Sequence, residues 1–263
     1  MYPATLANHV LSTLSSKQLS LLLPLEPVEL QQGEHVYRRG TSVEQVLFPA
    51  SAVVSLLVDT ASGNAVEVAM VGREGVIGTP VVAGDGFAIN TARVQVQGSA
   101  YSVTRTKFLQ ALDESRQLRQ CIERRDAAIL AQAQQAAACN ASHSAQARVC
   151  RWLLELRDRC NSDVIPLTQG FLADMVGVQR TTVTLVASKL QAAGIIRCRR
   201  GKVRILEAGK LALAACECFG HMRKLRESLA LFPSSDGDFP IAADALPPAY
   251  LPQAKPVSRL ASE

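Results

Sequence analysis

Long apolar runs are missing from this sequence, and so is a leader pattern at its start. A helix that crosses a bilayer needs about 20 consecutive, mostly apolar residues, whereas the apolar run Leu21–Leu23 is short and ends at Pro24. The first residues also lack the basic-then-apolar order of a secretory signal. We therefore expect a chain that works in the cytoplasm and has no membrane partner.

Motifs of common enzymes are missing as well. The sequence contains no glycine-rich phosphate loop that ends in Gly-Lys-Ser/Thr, no nucleophile elbow and no histidine pair at zinc-binding spacing. We interpret the glycine-rich stretch 72–78 as a turn-rich connection between strands. These absences predict a protein that is not an enzyme.

The seven cysteines and four histidines form no recognisable metal motif. No two cysteines have the CxxC spacing of common zinc sites, and the histidines are scattered, so the sequence predicts no metal site. In a cytoplasmic protein the cysteines are expected to be reduced. Cys216 and Cys218 lie two residues apart, which leaves a redox role open beside an ordinary structural one.

Positive charge, in contrast, is concentrated in one segment. Residues 141–230 contain 15 Lys/Arg and 7 Asp/Glu, a balance of +8, whereas residues 1–140 contain 11 and 12, and residues 231–263 contain 2 and 4. Cations close to phosphates release the counterions condensed there, which favours binding. The segment therefore predicts a polyanionic partner, with a merely solvated basic surface as the alternative.

Two short helices joined by a glycine turn are predicted within this basic segment. Thr168 is a suitable N-cap for the first helix. Gly177 follows its last apolar residue, where a left-handed backbone commonly ends a helix. The second helix runs from about Arg180 to Ala193, Gly194 closes it, and one face of it is apolar. The residues of that apolar face are Val183, Val186, Ala187 and Leu190.

A basic β-hairpin with its tip at 199–202 follows the two helices. This order is typical of a winged helix-turn-helix, in which the second helix enters the major groove of DNA and the hairpin approaches phosphates. One alternative is an ordinary helical hairpin with a solvated charged loop. Another is a ligand-binding or protein-interaction module in which the helix-turn-helix makes protein contacts. The predicted DNA-contacting residues are Thr168, Gln179, Arg180, Thr181, Thr182, Thr184, Ser188, Arg199, Arg200 and Lys202.

Residues 28–104 predict an antiparallel barrel or roll, because short β-like runs alternate there with turn signals. The runs span 34–37, 46–48, 53–58, 66–70, 93–96 and 100–104. Breaks fall at Gly33, Gly40, Ser62-Gly63-Asn64, Gly84-Asp85-Gly86 and Gly98-Ser99.

The stretch Lys107–Cys139 contains neither glycine nor proline and is rich in helix formers. It predicts one continuous helix that forms a seam with a second copy or packs against its own roll. The apolar residues at steps of three, four or seven are Leu112, Leu118, Ile122, Ile129, Ala133 and Ala136. A hinge is predicted at Asn140–Ser144, followed by a helix from Ala145 to about Arg159.

The run VGVQRTTVTLVASKLQAAGII resembles the turn and recognition helix of the Crp/Fnr family of bacterial transcription regulators. The resemblance implies an α+β fold with an antiparallel β-roll like that of cyclic nucleotide-binding domains. It implies a sequence-specific dimer on a palindromic operator, with RNA polymerase as a further candidate partner. The expected parts are a β-roll sensor domain with an N-terminal helix (1–106), a dimerisation helix (107–140), a winged helix-turn-helix domain (141–231) and a disordered, proline-rich tail (232–263).

The same resemblance locates an effector site and argues against its usual ligand. The family's Gly-Glu pair, which holds the ribose, falls on Gly78-Thr79, and its Arg-Ser-Ala run, which holds the phosphate, falls on Asn90-Thr91-Ala92. Both the carboxylate and the arginine are missing, so we expect no ordinary cyclic AMP binding. Substitution by Arg73 or Arg93 is the alternative. The candidate effector residues are Arg73, Gly78, Thr79, Asn90 and Thr91.

Two further expectations rest on the resemblance. Some family members hold an iron–sulfur cluster through an N-terminal cysteine group, but the first cysteine here is Cys121, so no such cluster is expected. Arg180 matches the arginine that begins the family's recognition helix, and arginine suits the paired acceptors of guanine. Thr181 stands where the family often has glutamate, and Leu185 where it has another arginine. These departures predict an operator unlike the usual one.

Overall fold

The computed structural model describes residues 7–60, 65–79 and 85–230, and it has the predicted α+β architecture. Among these residues no helix combines the length and the hydropathy needed to cross a bilayer. Two short helices precede the first sheet, α1 (His9–Thr13) and α2 (Ser16–Leu22). The buried amide of Asn8 donates hydrogen bonds to the carbonyls of Pro49 (2.9 Å) and Gly75 (3.0 Å), which ties these helices to the strands behind them.

Within the described part of residues 26–104, seven antiparallel strands form the predicted roll. They are arranged in two sheets, with the strand orders β1-β7-β3 and β2-β6-β4-β5. The strands are β1 (Glu26–Leu30), β2 (His35–Tyr37), β3 (Gln45–Pro49), β4 (Val53–Asp59), β5 (Ala65–Val71), β6 (Thr91–Val96) and β7 (Gly98–Thr104). Apolar side chains from both sheets fill the interior, where Phe48 meets Phe108 edge to face with 6.3 Å between ring centroids. The predicted turn Ser62-Gly63-Asn64 and Gly84 lie outside the described residues.

The prediction of one continuous helix from Lys107 to Cys139 is wrong at Ser115. The chain forms α3 (Arg105–Glu114) and α4 (Arg116–Ser142) instead. Ser115 has extended backbone angles (φ −133°, ψ 101°), and its hydroxyl accepts a hydrogen bond from the Leu118 amide at 3.2 Å. Serine competes for backbone hydrogen bonds in this way, so it favours a helix cap over a helix interior.

The structure also differs from the predicted dimer seam and the predicted hinge. Leu118 and Ile122 are buried in the core of their own roll, so they are not available to a second copy. Residues 140–142 remain helical, and the break falls at His143, the C-cap of α4, and Ser144, which caps the next helix. The residues that face outward on α4 are therefore different from those that the spacing predicted.

Residues 145–205 form three helices and a three-stranded sheet, as a winged helix-turn-helix requires. The helices are α5 (Ala145–Cys160), α6 (Gln169–Val176) and α7 (Arg180–Ala192). The sheet has the order β8-β10-β9, with β8 (Val164–Pro166), β9 (Ile196–Arg199) and β10 (Lys202–Ile205). β8 was not predicted, because its three residues carry too little alternation to be recognised.

After β10 the chain forms two further helices within the described residues, α8 (Ala208–Ala214) and α9 (Cys218–Ala230). Ala215 separates them with extended backbone angles (φ −81°, ψ 160°), which places Cys216 and Glu217 in a short link. The predicted disordered tail, residues 232–263, lies outside the described residues. A second hydrophobic cluster joins the roll to the C-terminal part, because Val53, Leu57 and Met70 pack with residues of α5 to α8.

Candidate nucleic-acid interface and cavity

The helix-turn-helix has the geometry that its local sequence predicts. The Thr168 hydroxyl accepts a hydrogen bond from the Phe171 amide at 3.2 Å and so caps α6. Gly177 ends α6 with left-handed backbone angles (φ 67°, ψ 45°). The predicted inner face of α7 is buried, which leaves the opposite face of α7 toward solvent. One face of α7 therefore packs against its own domain and the opposite face is accessible, as a helix that binds in a DNA groove requires.

The outer face of α7 carries the predicted contact residues. Gln179, Arg180, Thr181, Thr184 and Ser188 are exposed, whereas Thr182 is half-buried. Among the described residues, Arg180 has no hydrogen-bond or ion-pair partner for its guanidinium. A guanidinium without an internal partner at the start of the helix can donate two hydrogen bonds to one base or phosphate.

Two features of this face qualify the prediction. The Thr184 hydroxyl lies 2.9 Å from Gln169 Oε1 and 3.0 Å from the Arg180 carbonyl oxygen, so its hydrogen is donated within the domain. Leu185 is 58% exposed in the middle of the face. A solvent-exposed leucine between polar neighbours can contact the methyl group of thymine. Leu185, a departure from the family's pattern, is not among the predicted contact residues.

The hairpin presents cations along its two strands as well as at its predicted tip. Arg200 (φ 45°) and Gly201 (φ 73°) form its two-residue turn, and positive φ at both positions suits tight hairpins. Across the two strands, Lys202 pairs with Arg199, and Arg204 pairs with Arg197. The exposed residues of this cationic face are Arg197, Arg199, Lys202 and Arg204.

Like charges directly opposite each other on a β-ribbon are destabilising unless an anion lies near them. The cationic face therefore fits a row of phosphates better than it fits bare solvent. Arg197 and Arg204 were missed because the predicted contacts were confined to the hairpin tip. Period-two alternation along the strands places them on the same face as Arg199 and Lys202, and that signal was present in the sequence.

The helix-turn-helix domain is docked on the roll through α6 and α5. The Arg93 guanidinium lies 4.3 Å from the centroid of the Phe171 ring, and the Gln32 amide donates to the Pro166 carbonyl at 2.8 Å. Arg159 of α5 pairs with Glu74 of the roll at 2.8 Å. Arg93, the alternative phosphate ligand of the sequence analysis, is thus engaged with the helix-turn-helix domain.

A half-buried carboxylate lies in the same contact. Glu67 of β5 accepts hydrogen bonds from Ser55 and from Trp152 of α5. Burial raises the pKa of the Glu67 carboxyl to about 7, an effect that these two hydrogen bonds only partly offset. The contact between roll and α5 therefore contains a group that changes its charge near neutral pH.

A cavity of about 850 Å³ lies between the roll and α4, where the resemblance locates the effector. Its wall is mostly apolar, with side chains such as Leu56, Ile77 and Phe87. Of the candidate effector residues, Gly78, Thr79 and Asn90 line it. Arg73 and Thr91 do not line it. The Thr91 hydroxyl instead donates a hydrogen bond of 2.6 Å to Asp59, which is also not part of the lining.

The charged groups of the cavity are acidic. Asp85, Glu123 and Asp126 line it, and no lysine or arginine does so among the described residues. The Thr79 hydroxyl, at the position where the family has its ribose-binding glutamate, donates to Asp126 at 2.5 Å. Burial raises the pKa of Asp126. An anionic ligand would find hydrogen-bond acceptors here but no positive charge to pair with.

Comparisons with known protein families match two separate parts of this chain. Residues 27–115 match the cyclic nucleotide-binding domain, and residues 147–214 match the Crp-like helix-turn-helix domain. No curated protein matches the sequence. Among solved structures, FixK2 from Bradyrhizobium japonicum has a TM-score of 0.64 at 18% identity, over 74% of this chain and 98% of that one.

Two other solved structures show the same fold. TTHA1359, a transcriptional regulator of the CRP/FNR family from Thermus thermophilus, has a TM-score of 0.61 at 23% identity, over 72% of this chain and 98% of that one. The c-di-GMP-responsive global regulator CLP of Xanthomonas campestris has a TM-score of 0.61 at 16% identity, over 73% and 99%. At these identities the likeness establishes the fold, and effectors have to be argued from this chain's own residues.

Proposed function

We propose that this chain, whose cyclic nucleotide-binding and Crp-like helix-turn-helix domains place it in the Crp/Fnr family, is a cytoplasmic transcription regulator without enzymatic activity. In this proposal it binds palindromic duplex DNA as a homodimer, and cyclic AMP does not control it. One observation carries the proposal. The outer face of α7, where the Arg180 guanidinium has no partner among the described residues, is exposed beside a hairpin that presents four cations on one face. That combination provides both a reader of base edges and a set of phosphate contacts.

Dimerisation is proposed through the outward face of α4. Leu130 is 59% exposed on this helix. Leu130 belongs to a row of exposed residues on α4 that recur at steps of three and four, which is the spacing of a two-helix seam. The residues of this row are Ala127, Leu130, Gln134 and Ala137. A dimer also increases sequence specificity. One recognition helix contacts only a few base pairs, whereas two helices related by a twofold axis read both halves of a palindrome.

Independence from cyclic AMP is proposed from the cavity. A cyclic phosphodiester carries one negative charge, and the described lining offers it Asp85, Glu123 and Asp126 but no cation. Taking that charge out of water without a partner is unfavourable. The mostly apolar wall suits an uncharged or cationic small molecule better. RNA polymerase remains a candidate partner suggested by the family.

The experiment that tests the proposal is selection of duplexes from a random pool with the full chain. We expect enrichment of a palindrome, a complex with two chains per duplex by mass photometry, and affinity that falls steeply with salt concentration. Absence of enrichment, together with binding that salt does not weaken, would contradict the proposal. That result would favour the alternative in which the helix-turn-helix makes protein contacts.

A further inference from the structure

Four metal-ligating side chains from two distant parts of the chain meet at the C-terminal end of α4. Cys139 and His143 are one helical turn apart there, and Cys216 and Cys218 flank the start of α9. Their ligand atoms, three sulfurs and one imidazole nitrogen, all lie within 4.8 Å of one another. All three cysteines are buried, and they form a cluster separate from the two main cores.

Two distances between ligand atoms of this group fit one tetrahedral metal ion. Cys139 Sγ lies 3.5 Å from Cys216 Sγ, and Cys218 Sγ lies 3.5 Å from His143 Nδ1. A zinc ion with Zn–S bonds of about 2.3 Å and a Zn–N bond of about 2.0 Å places its ligand atoms roughly 3.5–3.8 Å apart. An iron–sulfur cluster would spread them more widely, because its ligands bind different iron atoms.

The surroundings orient these ligands as in known zinc sites. His143 Nε2 lies 3.1 Å from Glu217 Oε1, so a proton on Nε2 can be donated to the carboxylate while Nδ1 faces the sulfurs. A carboxylate behind a metal-binding histidine fixes its tautomer and the direction of its lone pair. The Gln135 amide donates a hydrogen bond to Cys218 Sγ at 3.0 Å. Hydrogen bonds to a thiolate stabilise its charge.

We propose that Cys139, His143, Cys216 and Cys218 bind one Zn²⁺ in a closed tetrahedral site. Since the protein supplies all four ligands, the metal has a structural role and leaves no position for a substrate. The proposal departs from the sequence-based expectation of no metal site. That expectation rested on CxxC spacing, whereas these ligands are a Cys-x3-His pair and a Cys-x-Cys pair separated by 72 residues (144–215).

The position of the site indicates what the metal would do. It joins the end of α4 to the start of α9, beside the turn at His143 and Ser144 that leads into α5. Zinc would therefore fix the angle between the proposed dimer helix and the helix-turn-helix domain. This consequence rests on the proposed function, but zinc content does not, so the two can fail separately.

The direct test is the zinc content of the full chain, purified under reducing conditions without a histidine tag. We expect about one zinc per chain in the wild type, and zinc loss in Cys216→Ser and Cys139→Ser. Cys198→Ser is the matched control, because Cys198 is half-buried in the hairpin and outside the group. A wild type that stays free of zinc after incubation with the ion and dialysis, or a Cys216→Ser variant that retains it, would overturn the proposal.

A second measurement uses only the wild type, in case the variants do not fold. Cobalt added to the metal-free chain should give the intense visible bands and the near-ultraviolet thiolate charge transfer of a tetrahedral thiolate site. Zinc should also protect Cys139, Cys216 and Cys218 from alkylation until a chelator is added, whereas Cys198 reacts in both cases. A weak, octahedral cobalt spectrum would overturn the proposal. So would a Cys139–Cys216 disulfide in protein purified without oxygen, because that result assigns the pair a redox role.

Discussion

The indole nitrogen of Trp152 donates a hydrogen bond of 2.8 Å to the carboxylate of Glu67, and this bond joins the helix-turn-helix domain to the roll. Glu67 lies on β5, next to the cavity wall residue Val68, and Trp152 lies on α5. The pair therefore connects the region where an effector would bind to the domain that would bind DNA. Trp152 is the only tryptophan of the chain, so its fluorescence reports on this contact alone.

Glu67 makes the contact dependent on pH. Burial raises its pKa from 4.5 to about 7; the nearby Glu155 charge acts in the same direction, and Ser55, Trp152 and Arg159 act against it. Because the folded state binds the proton more tightly than the unfolded chain, this group lowers the free energy of unfolding as pH rises from about 4.5 to about 7. We expect Trp152 fluorescence to change with a midpoint near pH 7.

The matched variant is Glu67→Gln, which keeps an oxygen acceptor for the indole but cannot ionise. In this variant the fluorescence transition near pH 7 should vanish, and the free energy of unfolding at pH 8 should exceed that of the wild type. Urea titrations at pH 5 and pH 8 measure it. An unchanged transition in the variant would show that a different group titrates.

Arg180→Ala should weaken binding to the selected operator by about 1–3 kcal/mol, because alanine removes the two donors that read one base. Binding to unrelated DNA should change much less. Fluorescence anisotropy with both duplexes at fixed salt measures the two affinities. If the variant bound the selected site as well as the wild type, Arg180 would not be a base reader.

Arg204→Gln should lower affinity for specific and unrelated DNA by a similar factor, since the cationic face contacts phosphates. The slope of log affinity against log salt should fall by about one. Lys210→Gln on α8 removes an exposed cation outside that face and serves as the control. An equal change of slope in both variants would mean that net charge alone matters.

Leu130→Asp should convert the dimer into monomers, because it places a charge in the middle of the proposed seam on α4. Analytical ultracentrifugation gives the mass. Leu213→Asp on α8 is the matched control, since Leu213 is 88% exposed on another helix. A Leu130→Asp protein that remains dimeric would place the interface elsewhere.

Cyclic AMP and cyclic GMP should produce no heat of binding in isothermal titration calorimetry, because the described cavity lining has no cation for the phosphate. Asp126→Asn, which removes one carboxylate, should not create binding by itself. Micromolar binding of either nucleotide to the wild type would contradict this prediction.

The sequence alone determined those elements whose signals are local. Thr168, Gly177 and the apolar spacing of α7 fix the helix-turn-helix, because a cap, a left-handed turn and a buried face each depend on residues only a few positions apart. The strands of the roll were recognised for the same reason.

Only the tertiary structure decided which distant surfaces meet. It buried Leu118 and Ile122 in the roll, placed Arg93 on Phe171 rather than in the cavity, and brought Cys139 and Cys216 to 3.5 Å. Such contacts depend on how whole helices pack. Side chains far apart in the chain share no local sequence pattern from which their contact could be predicted.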